Sequence, residues 1–464
     1  MAIMPSSLPK VRYHAEYHSK INSISLSAQV PPTGLSCKIG PDAIDLIPSV
    51  CPDNERPQTE SLSLPARVMP TRTTLDQSST QSSFLALKLT ALPNMTAADA
   101  SSLKSVTFSE FPASPLPASQ LQGLENLACG CCGSVLLLHS GTAGTERTAT
   151  EATQKETHEY HHGPIRRVVD LPSEHWQELV DCWMCHEEDF TELREGDLGA
   201  RLGQALVGGT YLLIHAGDVD RRAVAIEEDA RSIDWTKGIK RRWRPLACSR
   251  CMYPVGDGWY QSRREDGTDL EMIQVKFHKY LVRFIGEDKQ TRQRLMIPRQ
   301  RFAPYVAAEI FESARHHATY RFIIQDRVKG QDMMLLWMLN WDSTILTNQQ
   351  PRQDQQICWD DLLRADFTGS SSMEGKRKGK KVLKVLYLKA VPEEHQASKP
   401  SKETALWDSW RGDPGVERLE YQERLVHGLL TLLEQSTSCL PPSLNGAASA
   451  VMAMDGMRVG SFEI

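Results

Sequence analysis

Three short cysteine clusters are the part of this sequence best suited to chemistry. They are the runs Cys129-Gly130-Cys131-Cys132, Cys182-Trp183-Met184-Cys185-His186 and Cys248-Ser249-Arg250-Cys251. In a Cys-x-x-Cys pair both thiolates can reach one zinc ion, and two such pairs complete a closed tetrahedral site. The spacing therefore predicts structural zinc (Zn2+), with these candidate ligands: Cys129, Cys132, Cys182, Cys185, His186, Cys248 and Cys251.

The number of zinc ions and the way they share these ligands stay open. On a helix, Cys182, Cys185 and His186 fall within an arc of about 100°, so they can point toward one site. Adjacent ligands at 185 and 186 would be crowded, which leaves a different role for one of them. Buried or unlinked cysteines are the alternative. A bound ion would join distant segments, so its binding energy would be folding energy.

Composition and charge exclude several classes of protein. The chain has 464 residues, with 53 Lys and Arg against 58 Asp and Glu, and a net charge of −5. This balance excludes a chain that is basic overall, so we expect no direct binding of nucleic acid. We also expect no transmembrane helix, since no apolar run reaches about 18 residues. The first 20 residues lack the apolar core of a secretory signal, which predicts reduced cysteines and no disulfide framework.

Hydrophobic patterning predicts a β-rich fold of the α+β class. Apolar residues indicate strands at residues 21–28, 83–89 and 382–388. Helical spacing of apolar residues indicates helices at residues 171–189, 303–317 and 414–435. These elements do not alternate as βαβ units, which favours α+β over α/β.

We expect three regions along the chain. Residues 1–128 form an N-terminal β-rich domain with a mobile loop near 52–82, which is rich in Pro, Ser, Thr and Gln. Residues 129–255 form a zinc-clasped, Cys/His-rich region, whose insert near 140–163 has almost no large apolar residues and is expected to be disordered. Residues 256–464 form a C-terminal α+β region.

Motifs spread over almost the full chain form a recognisable pattern. The most specific is a tryptophan-rich segment at 171–186, which begins Leu171-Pro172-Ser173-Glu174-His175-Trp176 and ends at Cys185-His186. The other motifs are Arg12-Tyr13-His14-Ala15-Glu16-Tyr17, the Cys-x-x-Cys-Gly knuckle at 129–133, Met334-Leu335-Leu336-Trp337-Met338-Leu339-Asn340 and Leu440-Pro441-Pro442-Ser443. Together they resemble the HECT-like ubiquitin-conjugating-enzyme-binding protein family.

The resemblance implies a ubiquitin ligase (E3) that binds a ubiquitin-conjugating enzyme (E2) and promotes transfer of ubiquitin to proteins. It also implies a second hypothesis: a non-catalytic binder, inhibitor or assembly factor of the zinc-dependent endonuclease that processes pre-mRNA 3′ ends. Family members are described in cytoplasm and nucleus. The acidic balance disfavours a third hypothesis, a zinc-ribbon protein that binds nucleic acid directly.

Two cysteines are candidate ubiquitin acceptors, which must be exposed thiolates free of metal. Cys439 resembles a HECT catalytic cysteine because Leu440 and two prolines follow it, although Ser438 stands where that motif has Thr. Cys131 is left over if Cys129 and Cys132 hold zinc. It could attack a thioester, or coordinate the metal of a partner nuclease in trans. A passive core cysteine is the alternative at both positions.

Overall fold

The computed structural model describes residues 11–30, 35–48, 59–75, 84–92, 114–138, 163–171, 199–227, 243–262, 270–287, 293–348, 379–390, 402–440 and 456–464. Among these residues, strands far outnumber helices. The α-helices are α1 (Ala303–His317), α2 (Lys402–Arg411) and α3 (Glu423–Ser438). The β-rich α+β class predicted from the sequence is confirmed, and α1 has the bounds that its apolar spacing predicted.

Strands occur in three stretches of the chain. The first holds β1 (Arg12–His18), β2 (Ser23–Gln29), β3 (Leu35–Ile39), β4 (Ala43–Pro48), β5 (Glu60–Ser63), β6 (Thr71–Leu75) and β7 (Phe84–Thr90). The second holds β8 (Leu124–Cys129), β9 (Arg167–Asp170), β10 (Gln204–Val207), β11 (Tyr211–His215), β12 (Val224–Ile226), β13 (Trp243–Cys248), β14 (Pro254–Ser262), β15 (Leu270–His278), β16 (Val282–Glu287) and β17 (Arg294–Ile297). The third holds β18 (Arg321–Asp326), β19 (Asp332–Thr347), β20 (Lys380–Lys389), β21 (Glu417–Tyr421) and β22 (Arg458–Glu463).

The chain divides into two compact units. The first consists of Met1–Pro112 together with Ser313–Ile464, and the second consists of Ala113–Glu312. The first unit is therefore assembled from both ends of the chain. These units are defined by contacts, whereas the three regions proposed above follow composition and motifs. Those three regions, with boundaries at 128 and 255, stay a prediction.

An eight-stranded sheet organises the first unit. Its strand order is β21-β18-β19-β1-β2-β7, and β20 pairs with both β19 and β22. β1 lies between β2 and β19 in antiparallel register, so that Ala15 pairs with Leu26 on one side and with Leu346 on the other. Because side chains alternate along a strand, Tyr13 and Ala15 enter an apolar core while His14, between them, faces the other way.

A second, four-stranded sheet contributes to the same core. Its strand order is β5-β4-β3-β6, and its buried Ile44 and Leu62 pack into the cluster that contains Tyr13 and Ala15. β5 and β6 lie within the stretch predicted as a mobile loop near 52–82. Their polar Ser and Thr residues look loop-like in sequence. Pairing with β4 and β3 supplies the backbone hydrogen bonds that single-sequence patterning could not foresee.

The C-terminal helices cover apolar residues of the large sheet. In α2, Trp407 and Trp410 pack with the buried Leu335 and Leu386. The helix predicted over 414–435 is wrong at its start, since residues 417–421 form β21, and α3 begins at Glu423. β21 pairs in parallel with β18 and buries alternate residues, so tertiary pairing overrides the helical spacing of its leucine.

The described residues of the second unit form two sheets. One has the strand order β12-β13-β14-β15-β11-β10-β9, and the other has the order β17-β16-β8. Lys279, in the turn between β15 and β16, is fully buried, and its ammonium group donates to the carbonyl oxygens of Pro115, Leu116 and Gly209 at 3.0, 2.9 and 3.2 Å. This lysine therefore joins the segment that leads into β8 to the turn between β10 and β11.

Some sequence predictions lie outside the described residues. They are the insert near 140–163, up to residue 162, and the helix at 171–189, from residue 172 onward. In the part of the chain that the structure describes, no helix has the length and apolar character needed to span a membrane.

Candidate metal centre

Two turns with the same hydrogen-bond pattern carry the cysteine pairs 129/132 and 248/251; we call them the first and second knuckle. In the first, the Gly133 N–H donates to Cys129 O at 3.0 Å. In the second, the Met252 N–H donates to Cys248 O at 2.8 Å. Gly133 and Met252 are both left-handed, with φ of 71° and 56°. The matching backbone geometry directs the two sulfurs of each pair to one side.

Each knuckle begins at the end of a strand. Cys129 ends β8 and pairs with Val282 of β16, while Cys248 ends β13 and pairs with Val224 of β12. A further hydrogen bond closes each turn. The Cys129 N–H donates to Ser134 O, and the Cys248 N–H donates to Tyr253 O, both at 2.8 Å. Sheet pairing therefore fixes the first cysteine of each pair, and the knuckle turn fixes the second.

The four sulfurs lie as a compact group. Cys129 Sγ is 3.6 Å from Cys251 Sγ, and Cys132 Sγ is 3.7 Å from Cys248 Sγ. All four atoms lie within 4.8 Å of one another. A tetrahedral zinc ion with bonds of about 2.3 Å separates its sulfurs by roughly 3.8 Å. The four cysteines thus lie close enough to bind a metal ion, and the sulfur separations are too long for disulfides.

The electrostatics of the group disfavour several thiolates side by side without a cation. Burial raises the pKa of Cys129 and of Cys248, and at each of them a neighbouring sulfur adds to that effect. At Cys132 burial also opposes ionisation, but hydrogen bonds from the Ser134 backbone and the neighbouring thiols prevail and lower its pKa. Four thiolates in this group would need a compensating positive charge, which a divalent ion would supply on displacing the protons.

The structure brings together four of the seven predicted ligands. They are Cys129, Cys132, Cys248 and Cys251, at the two knuckles. The other three predicted ligands, Cys182, Cys185 and His186, lie outside the described residues. Their part in metal binding stays a prediction.

The two candidate nucleophiles differ sharply in exposure. Cys131 sits between the ligand positions of the first knuckle and is exposed. Cys439 follows the last residue of α3, is only 5% exposed, and has a pKa raised by burial. A thiol that is buried and hard to ionise is a poor nucleophile. In this conformation Cys131 is therefore the more accessible of the two.

Three residues that the sequence did not single out surround the knuckles: Arg283, Arg299 and Tyr253. Arg283 donates to the Gly130 carbonyl oxygen, and Arg299 donates to the Tyr253 hydroxyl at 3.2 Å. Neither arginine belongs to a cysteine motif or lies near one in sequence. No sequence signal distinguishes them from other surface arginines, because their contacts depend on distant segments that meet only in the folded chain.

Comparison with known proteins places the chain in a family. A family model described as HECT-like ubiquitin-conjugating enzyme (E2)-binding matches residues 16–450. An E3 ubiquitin-protein ligase of Pongo abelii is 25% identical over 299 residues, which cover 60% of this chain and 65% of that protein. The ligase of the same name from Rattus norvegicus is 27% identical over 286 residues, which cover 60% and 63%. The one from Homo sapiens is 25% identical over 315 residues, which cover 65% and 67%.

The matches to curated relatives cover only part of each relative. The chain spans about two thirds of the length of the curated relatives, from 63% to 67% in the three cases given. No solved structure matches the chain. The family model covers most of the chain and includes all four clustered cysteines. This protein therefore belongs to the HECT-like ubiquitin-conjugating enzyme (E2)-binding family.

Proposed function

We propose that this protein is an E3-like ubiquitin ligase that binds a ubiquitin-conjugating enzyme and promotes transfer of ubiquitin to other proteins. The match of the family model to residues 16–450 carries this proposal. The relatives named E3 ubiquitin-protein ligase support it. The location in cytoplasm and nucleus stays a prediction, as does the second hypothesis, a binder of the mRNA 3′-end endonuclease, which no described contact favours.

The ion proposed for the four-cysteine cluster is structural zinc. Zinc favours four thiolates in a closed tetrahedral site, and the sulfur separations of 3.6 and 3.7 Å fit that geometry. The ion would join the first knuckle to the second, so its binding would stabilise the second unit. Elemental analysis of purified protein should find near-stoichiometric zinc, and Cys251→Ser should lose it. A zinc-free, folded wild-type protein would refute the assignment.

Cys131 is the cysteine that we propose as ubiquitin acceptor, in preference to Cys439. Its thiolate would attack the thioester carbonyl at the ubiquitin C-terminus, forming a new thioester as the thiolate of the conjugating enzyme leaves. A substrate amine would then attack this second thioester and release Cys131. The exposure of Cys131 and the burial of Cys439 support this order of preference.

A thioester trap tests the ligase proposal. Purified protein is mixed with activating enzyme, a panel of conjugating enzymes, ATP and labelled ubiquitin, and analysed on gels with and without thiol. We expect a thiol-sensitive adduct on this chain that Cys131→Ser abolishes and Cys439→Ser retains. Loss of the adduct in Cys439→Ser alone would move the acceptor to that residue.

A second assay separates covalent transfer from scaffolding. Discharge of a charged conjugating enzyme onto free lysine is followed with wild type and with Cys131→Ser. Faster discharge without any adduct would replace the covalent route by a scaffold that positions the charged enzyme. If no conjugating enzyme of the panel binds and none is discharged faster, the ligase proposal fails.

A further inference from the structure

The guanidinium group of Arg283 binds the backbone of the first knuckle. This residue extends from β16, and both its Nε and its Nη2 donate to the Gly130 carbonyl oxygen, at 3.1 and 2.9 Å. Nη2 also donates to Cys131 O at 3.5 Å. The Gly130 N–H donates to Leu281 O at 2.9 Å, so both polar backbone groups of Gly130 are bound to the same segment. Only a forked side chain can make the paired contact to one carbonyl.

Arg299 links the first knuckle to the second. Its Nη1 donates to the Tyr253 hydroxyl at 3.2 Å, and its guanidinium lies over that ring at 5.9 Å. Its aliphatic part lies against Gly130, where a Cβ atom would stand 2.9 Å from Arg299 Cδ. Tyr253 is 8% exposed and accepts the Cys248 N–H at its carbonyl. Arg299 therefore contacts Gly130, which follows Cys129 of the first knuckle. It also contacts Tyr253, which is hydrogen-bonded to Cys248 of the second knuckle.

The charges of these groups are complementary. Four thiolates around one zinc ion carry a net charge of −2. The two guanidinium groups carry +2. Groups that contact the ligands of a metal site, and not the metal itself, hold those ligands in place and adjust how tightly the metal is bound.

We propose that Arg283 and Arg299 are positioning residues of the metal centre. They hold the two knuckles in the geometry that presents four sulfurs to one ion, and they offset the charge of the loaded site. The strength of zinc binding thus depends on two arginines from outside the cysteine motifs. This inference rests on the proposed zinc site.

Zinc affinity, measured by competition with a chromophoric chelator at fixed pH and salt, tests the proposal on the full chain. Arg283→Gln and Arg299→Gln should each weaken zinc binding by about 10- to 100-fold. Arg283→Lys should fall between wild type and Arg283→Gln, because the charge remains and the fork is lost. Arg167→Gln is the matched control, since it removes an exposed charge from β9, outside both knuckles, and it should stay within about twofold of wild type.

Cobalt(II) substitution supplies a readout that a merely unfolded variant would not give. Each variant should keep the absorption bands of a tetrahedral four-sulfur site at saturating cobalt, while needing more cobalt to reach saturation. Zinc binding by both Gln variants as tight as that of wild type would overturn the proposal. So would an Arg167→Gln effect as large as that of Arg283→Gln, since net charge alone would then explain it. A wild type that binds no zinc is a different failure, which would remove the proposed centre itself.

Discussion

Lys384 places its Nζ 2.8 Å from Oε2 of Glu16, although 368 residues separate the two in sequence. The same ammonium group also donates to Oε1 at 3.0 Å, and the Ser343 hydroxyl donates to Oε1 at 3.0 Å. Glu16 lies in β1, Ser343 in β19 and Lys384 in β20. One buried carboxylate therefore joins three strands from the two ends of the chain.

Replacement of Lys384 by Met should lower the free energy of unfolding by about 3 kcal/mol at pH 7, because it leaves the Glu16 carboxylate buried without its counter-charge. Burial alone would raise the pKa of Glu16, but Lys384 outweighs it, and the pKa lies below its ordinary value. The pair therefore stabilises the fold above the ordinary carboxyl pKa and loses its effect as pH falls through the lowered pKa. Urea unfolding of wild type and Lys384→Met at pH 7 and pH 4 measures the difference in unfolding free energy.

The pH dependence of the stability lost in Lys384→Met tests whether the buried charge of Glu16 causes that loss. Without Lys384 the pKa of Glu16 should rise, so the variant should recover part of its deficit at pH 4. The double variant Glu16→Gln with Lys384→Met should be more stable at pH 7 than Lys384→Met, since no charge is then buried alone. A single variant as stable as wild type at pH 7 would contradict the assignment of this pair.

Replacement of His14 by an apolar residue should make the free energy of unfolding depend less on pH between pH 7 and pH 4. His14 is 4% exposed, and neither ring nitrogen has a hydrogen-bond partner among the described residues. Burial lowers its pKa from 6.5 to about 4, helped by Lys384 and opposed by Glu16. Because the unfolded chain takes up the proton first, stability is fully present above pH 6.5 and falls by about 3 kcal/mol on the way to pH 4.

Urea titrations from pH 7 to pH 4 with His14→Leu test this expectation. The variant should lose less stability over this range than wild type does. Ile24→Val, at a fully buried residue of the same sheet that does not titrate, is the control and should keep the wild-type slope. Equal slopes in wild type and His14→Leu would show that this histidine is not buried in its neutral form.

Substitution of the two left-handed residues, one in each knuckle, should change the stability of the protein differently. Gly133 has a φ of 71°, and a Cβ atom there would meet nothing within 4 Å. Gly133→Ala should therefore cost about 1 kcal/mol through backbone conformation alone. Met252 adopts a φ of 56° with a side chain that is 48% exposed, so Met252→Gly should relieve strain and be neutral or stabilising. Thermal unfolding of the zinc-loaded proteins compares the two, and a destabilised Met252→Gly would contradict the shared geometry.

The two candidate nucleophiles should alkylate at very different rates. Brief treatment with iodoacetamide near neutral pH, followed by peptide mass spectrometry, should modify Cys131 well before Cys439. The reason is that Cys131 is exposed, whereas Cys439 is buried and burial raises its pKa. Full denaturation before alkylation is the control and should remove the difference. Faster modification of Cys439 in the native protein would reverse the preference stated above.

Several features were determined by the sequence alone. The three Cys-x-x-Cys clusters predicted a metal site, and two of them meet in the structure. Alternating apolar residues predicted β2, β7 and β20 to within two residues at each end, and the helical spacing of residues 303–317 predicted α1. These patterns are local, since a strand or helix buries residues at a fixed period whatever lies elsewhere in the chain.

Other features were decided only by the tertiary structure. The joining of β1 with β19, and the choice of Glu16 and Lys384 as partners, depend on segments hundreds of residues apart. Residues 417–421 became a strand because β18 offered an edge for pairing, although their leucine spacing suited a helix. Arg283 became a support of the first knuckle because β16 pairs with β8. Periodicity records which residues are buried, but it holds no information about which distant segment buries them.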